Sequence, residues 1–558
     1  MEAGTPGREA SHKLDAVSNE RWYKNGLLYS LSVRTYADSN GDGIGDLPGL
    51  TGRLDYLAGL GVSCVWLLPF YPSPWRDDGY DVTDYYSVHP DFGNLGDFVE
   101  LVQQAEDRGI RIVVDLVLNH TSDQHPWFQA AREGDPAYRD YYVWADERPE
   151  DAESGVVFPG EQTTTWSYDR KARSYYFHRF YDFQPDLNID NPAVRAEMRK
   201  IIGFWAALGI SGFRVDAVPF LIEPAGQRGA RPGPEFDYLH ELRNALSWRR
   251  GDAVLLGEAN VELDSIEDYF GVGGMHMLFN FLGNQHVWLA LARADAGPLV
   301  EALRSTTGIP ASDQWASFLR NHDEADLGRL TEEERADVFA AFAPEPEMQL
   351  YGRGPRRRLA SMLGGDRARL ESALSLLLTL PGTPVLYYGD EIGMGEDLSL
   401  PDRQAVRTAM QWSSGPNGGF SSARREELHV PTISRGRFGF RQINVESQKH
   451  DPDSLLNWLA RALRLRRSLP AFGLGDWEAL GTGDSAVLAL CFRYAGRETV
   501  ALHNFANEGR RADLRPAFER PALRDVFADR HYEDEDAKSF ELGPYGYRWL
   551  EAHPAQSR

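Results

Sequence analysis

The feature that most restricts the fold is a set of short apolar runs that each finish on a carboxylate or an Asn-His pair. They read IVVDLVLNH (112–120), GFRVDAV (212–218), LLGEAN (255–260) and FLRNHDE (318–324). Short apolar runs without polar alternation are strands buried on both faces, the pattern of a parallel sheet clothed in helices. Further runs lie at 27–33, 64–69, 275–281 and 384–391, which makes eight. Segments with helical spacing stand between them at 53–61, 97–109 and 194–209, and 454–468 supplies a closing helix. This rhythm predicts an α/β chain, a (β/α)8 TIM barrel.

Two stretches break the rhythm. Residues 121–186 are rich in aromatics, Gly, Pro and Asp and read as a small domain inserted after strand 3. Residues 474–558 alternate short strands with turns and read as a C-terminal antiparallel β-sandwich. The barrel then occupies 21–120 and 187–473, with a charged helical excursion at 324–370, and 1–20 form a polar tail. That tail has no apolar run fit for a signal peptide or a membrane span, so the expected setting is cytoplasmic, with no membrane partner. Cys64 and Cys491 lie in separate apolar runs and predict no disulfide framework. The net charge of -24 argues against nucleic acid, whose phosphates call for a basic surface.

Side chains at the C-terminal ends of barrel strands converge over one pocket. Asp216, Glu258 and Asp323 therefore meet, although they are far apart in the chain. Glycoside chemistry needs two carboxyls in opposite protonation states. We read Asp216 as the nucleophile. Arg214, two residues earlier on the same strand, points the same way and favours its ionised form. Glu258 is the acid/base, its proton held by burial and neighbouring charge. Asp323 favours the distorted sugar ring, and His120 and His322 donate to sugar hydroxyls. A helix-capping role explains any one of these acids, but not the set together with Arg214 and two Asn-His pairs. In DSNGDGIGD (38–46), oxygen donors alternate at Asp38, Asn40, Asp42, the Ile44 carbonyl and Asp46, which suits a structural Ca2+. No signature of an organic cofactor is present.

At these residues the chain resembles the α-amylase superfamily, glycoside hydrolase family 13, over nearly everything from Trp22 onward. DLVLNH, GFRVDAV, GEAN and FLRNHD look like four of its signature regions in order, and QPDLN (184–188) is similar to a further one. The resemblance implies the three carboxylate roles and a small α-glucoside as partner. It implies Asp81 in GYDVTDY as a ligand of the terminal glucose, and Arg407 in RTAMQW as an arginine at its non-reducing end. It also implies a second structural Ca2+ at Asn119, Asp186, the Leu221 carbonyl and Glu223. Self-association into a homo-oligomer is a further implication. WYKN, DSNGDGIGDLPGLTGRLDYL and LVLNHTSDQHPWFQ are similar to the members that interconvert maltose and trehalose. The expected reaction is therefore intramolecular α-glucosyl transfer with minor hydrolysis. The alternative is an α-glucosidase or transglucosidase acting on maltose, sucrose or short α-glucooligosaccharides. Ala409 stands where RTPMQW has proline, and MHMLFNFLGNQHVW departs from the pattern expected near the acceptor side. A catalytically silent scaffold does not fit three intact carboxylates, and an open endo-acting cleft does not fit Arg407.

Overall fold

A computed structural model describes residues 21–223, 234–271, 273–515, 523–533 and 538–552. The expected tail at 1–20 lies outside them, as do residues 224–233 of a Pro- and Gly-rich stretch (221–235) that the sequence offers as a candidate for enclosing the site. Eight parallel strands close into a barrel: β1 (Leu28–Leu31), β2 (Cys64–Leu67), β3 (Arg111–Leu116), β4 (Gly212–Val215), β5 (Val254–Gly257), β6 (Met277–Phe279), β7 (Gln314–Phe318) and β8 (Thr383–Tyr387). Each pairs with its neighbours in chain order, and β8 returns to β1. The strands are apolar on both faces because both are covered. Trp66, Val113, Leu256, Met277 and Phe318 fill the interior, while Val65, Val114, Phe213 and Leu255 pack outward against helices. Cys64 and Cys491 are both buried and form no disulfide.

Between β3 and β4 the inserted domain carries a helix, Pro126–Arg132, and a three-stranded antiparallel sheet of Trp144–Ala145, Ser174–Phe177 and Trp166–Asp169. Its small core is built from Val143, Ala152, Trp166 and Phe177. Between β7 and β8 the chain forms the helix Glu332–Phe342 and a hairpin of Gln349–Leu350 with Gly354–Pro355. Beyond the barrel, a five-stranded antiparallel sheet and a two-stranded one make up the C-terminal region. Trp549 Nε1 donates to Ser375 Oγ at 2.9 Å and Trp458 Nε1 to the Tyr547 hydroxyl at 2.7 Å, so this region is anchored to the barrel helices. Among the described residues no helix is long and apolar enough to cross a membrane.

Candidate active site

The C-terminal rim of the barrel holds a cavity of about 430 Å³. Asp216, Glu258, Asp323 and His120 line it together, with Tyr80, Asp77, Phe158 and Arg403. The register explains the charge cluster beneath. Asp115 on β3 pairs with Arg214 on β4. Arg214 is wholly buried and shared among three carboxylates: Nη1 contacts Asp115 Oδ1 and Asp216 Oδ1, each at 2.6 Å, and Nη2 lies 2.8 Å from Glu258 Oε2. Trp66 Nε1 donates to the other Asp115 oxygen at 2.8 Å. Asp216 and Glu258 are thus drawn together on the two terminal nitrogens of one guanidinium, an arrangement compatible with the close pair of a retaining enzyme.

Ala217, next to Asp216, adopts φ 48° and ψ 42°, left-handed for a residue with a Cβ. That turn lets the Ala217 amide donate to Glu258 Oε2 at 3.2 Å, tying the two catalytic strand ends together.

Burial dominates the protonation states. It pushes Asp216 up to about 6, with Arg214 opposing and Asp115 reinforcing. It pushes Glu258 higher, to about 7, again against Arg214 and with help from Asp216 and Asp323. Arg214 therefore limits the rise of Asp216 without abolishing it. Between those values Asp216 is ionised while Glu258 keeps its proton, which is the division of labour a retaining enzyme needs. Asp323 is different. Burial would raise it, but Arg403, His322, Arg407 and Arg214 hold it well below the usual carboxylate range. Burial lowers His120 to about 4, leaving a neutral ring whose Nε2 has no protein partner.

The remaining predicted contacts divide. His322 and Arg407 form the wall behind Asp323. His322 Nε2 lies 2.9 Å from the Tyr80 hydroxyl and 3.4 Å from Asp323 Oδ2, and the two rings stack. Arg407 donates to Asp323 Oδ1 at 2.7 Å and to the His322 carbonyl at 2.8 Å, and also pairs with Asp78. Both residues line a second cavity of about 260 Å³ on the far side of Tyr80. Asp81 is placed differently. Its wholly buried carboxylate turns away from the catalytic cavity and accepts from Ser73 Oγ at 2.7 Å and from the Arg76 and Asp77 amides, both at 3.2 Å. The acid that reaches the cavity from this loop is Asp77, which burial pushes up to about 6.

The 324–370 excursion, which the sequence offers as a segment to enclose the site, reaches the pocket, but its individual contacts are not readable from the sequence. Glu324 is shared by two arginines: Arg353 Nε donates to Oε1 at 3.1 Å and Arg403 Nε to Oε2 at 2.8 Å. Arg403 also lies 3.2 Å from Asp323 Oδ1. Its guanidinium covers Phe158 of the inserted domain, which stacks on Tyr181 at 4.8 Å and packs against Tyr351 of the β7–β8 hairpin at 5.2 Å. Three distant segments thus close over one side of the pocket.

The 38–46 loop folds as a ladder. Asp38 Oδ1 accepts from the Gly41 amide at 2.7 Å, Asn40 Oδ1 from the Asp42 amide at 2.8 Å, and Asp42 Oδ1 from the Ile44 amide at 2.9 Å. Asp46 is turned inward as the N-cap of Leu47–Thr51, its oxygens taken by the Gly49 amide and by Ser39. At the second predicted metal position, Asp186 is buried beside Asn119, and burial pushes its carboxyl up to about 7. The Arg179 amide donates to it, and the Arg179 guanidinium faces Glu223 at 3.4 Å.

The α-amylase catalytic-domain model matches residues 31–343 and 350–475. The chain belongs to the α-amylase family. It is 41% identical over 541 residues to the trehalose synthase of Thermus thermophilus, covering 96% of this chain and 56% of that protein. It is 45% identical over 484 residues to the trehalose synthase/amylase of Mycolicibacterium smegmatis, covering 86% of this chain and 82% of that one. Among solved structures, the α-amylase from H. orenii superposes with a TM-score of 0.78 at 29% identity, covering 95% of this chain and all of that one.

Proposed function

We propose that the protein interconverts maltose and trehalose by intramolecular α-glucosyl transfer. Asp216 attacks the anomeric carbon of maltose as Glu258 delivers its proton to the glycosidic oxygen, which leaves on the second glucose. Asp323, ionised among Arg403 and Arg407, faces the positive charge that develops on the ring. The freed glucose reorients, and its anomeric hydroxyl attacks the glucosyl-enzyme. Glu258 takes that hydroxyl's proton, Asp216 leaves, and two inversions give net retention. Water attacking instead gives hydrolysis as the minor route. What supports this reading beyond general glucosidase chemistry is the packing of Phe158 on Tyr351 and of Glu324 on Arg353 and Arg403 along one side of the pocket, which would help to hold the freed glucose and limit the entry of water. The names of the relatives agree with it. The test is maltose turnover in excess isotopically labelled free glucose. Unlabelled trehalose as the first product supports isomerisation. Label in trehalose at the level of the pool makes the protein a transglucosidase, and glucose alone makes it a hydrolase.

Structural calcium belongs to the same proposal. Asp38, Asn40, Asp42, the Ile44 carbonyl and Asp46 would hold one ion, with Asp46 also capping the helix that follows. No cationic side chain among the described residues pairs with Asp38 or Asp42, and the donors are hard oxygens. Asn119, Asp186, the Leu221 carbonyl and Glu223 would hold a second, where a cation would offset the buried charge of Asp186. Either ion would fasten loops and take no part in bond breaking.

A further inference from the structure

Arg320 is a buried cation that the chemistry above does not use. It lies at the end of β7, three residues before Asp323, and is 2% exposed. Its guanidinium spans two loops: Nε donates to the Arg357 carbonyl at 2.6 Å and Nη2 to the Asp323 carbonyl at 2.5 Å. Arg357 belongs to the segment that follows the β7–β8 hairpin. The turn of the hairpin itself carries Arg353, whose side chain pairs with Glu324. Arg358, also wholly buried, donates to the carbonyls of Val406, at 3.1 Å, and Tyr388, at 2.6 Å. Val406 immediately precedes Arg407. Asp390, just beyond β8, lies 3.8 Å from Arg358 Nη1. Burial lowers Arg320 to about 10, opposed by the charges of Asp390, Glu324 and Asp323. Two buried arginines thus hold, from behind, the backbones that present Asp323 and Arg407.

We propose that Arg320 is a positioning residue: its planar fork fixes the backbone of Asp323 against Arg357, and so sets the carboxylate that faces the developing charge on the sugar ring. The role is geometric. The largest charges that keep Asp323 ionised against burial are those of Arg403, His322, Arg407 and Arg214; Arg320 also feels the Asp323 charge, behind those of Asp390 and Glu324. A fork that reaches two carbonyls in one plane cannot be replaced by an ammonium, although the charge can. Ground-state binding rests on other groups, such as His120 and Asp77, so the loss falls on the transition state.

The inference rests on retaining chemistry at Asp323 and not on which acceptor wins, so total maltose consumption is the quantity to follow. Arg320→Lys and Arg320→Met are compared with wild type, with active sites counted by a fluorinated glucosyl fluoride that accumulates the covalent intermediate. Both variants should lose roughly 10- to 100-fold in kcat per counted site, the scale of a small misplacement. KM for maltose should move less than about threefold. A cationic iminosugar should weaken in step with kcat, and glucose should not. Arg320→Lys within twofold of wild type would mean that only the charge matters and overturns the proposal. A lower Tm with unchanged kcat per counted site would leave Arg320 a purely structural residue and overturn it equally. Should Arg320→Met not fold, Arg320→Lys decides alone. Glucose as the only product in every variant would remove the isomerase reading and leave this one standing.

Discussion

Asp115→Asn is the perturbation whose effect the geometry fixes most tightly. Asp115 and Asp216 each place an oxygen 2.6 Å from the same nitrogen of Arg214. The two oxygens are therefore within about 5 Å of each other, and two full charges at that distance repel by about 3 kcal/mol at an effective dielectric near 20. That repulsion corresponds to about two pH units in the ionisation of Asp216. Burial pushes Asp115 itself up to about 6, so it is only partly charged where Asp216 titrates. The expected effect is then about half, roughly one pH unit. The sign follows from the removed charge. Asp115 opposes ionisation of Asp216, so its loss lowers the Asp216 pKa and extends activity toward acid. In wild type the acid limb of kcat/KM should lie near 6 and the alkaline limb near 7, as macroscopic values of a coupled pair. In Asp115→Asn the acid limb should fall to near 5, with the alkaline limb moving less. Initial rates on maltose from about pH 4 to 9 provide the assay. An acid limb that stays in place or rises would refute the shared-guanidinium account.

Asp77→Ala should cost at least about a hundredfold in kcat/KM by removing a cavity-lining acid. Asp81→Asn should leave kcat/KM per folded enzyme within about threefold and destabilise by about 1–3 kcal/mol, because buried donors lose a charged acceptor. Steady-state kinetics and thermal melts check the pair, and the reverse ranking would restore Asp81 to the site. Phe158→Ala removes the ring under Arg403 and beside Tyr351; a loss of about 3 kcal/mol would populate the open state on the order of a hundredfold more. The glucose-to-trehalose product ratio should rise at least tenfold, and an unchanged ratio would show that closure does not depend on this contact. Verified removal of Ca2+ should lower Tm by several degrees while the rate per folded molecule at 25 °C stays within about twofold. An unaltered Tm would contradict the metal proposal.

The sequence reveals most where one residue type has one physical use. Runs such as CVWL and RIVVDL can only be strands covered on both faces, and a parallel sheet carries its carboxylates to one rim. Asp216, Glu258 and Asp323 were legible for that reason. The choice between Asp77 and Asp81 was not. Both lie in RDDGYDV, and what separates them is Ser73 and two backbone amides that fold back on Asp81. Asp46 carried a local signal for its capping role, an acid ahead of a proline at the start of a helix. The excursion at 324–370 could be read as an enclosing segment, but its contacts could not. Phe158, Tyr351, Glu324 and Arg403 come from three segments whose meeting depends on tertiary packing, and no spacing rule connects them. His322 and Arg407 could be singled out from their motifs, but their place in the wall behind Asp323 emerges only from the geometry.

The central claim is that the glucose released from maltose is recaptured at its anomeric hydroxyl before it escapes. The most direct test follows purified protein supplied separately with concentrated maltose and concentrated trehalose, with all sugars resolved over time. The account predicts that both reactions converge on one maltose–trehalose mixture while glucose accumulates slowly. Rapid release of glucose from either sugar, with the other never forming, would contradict it.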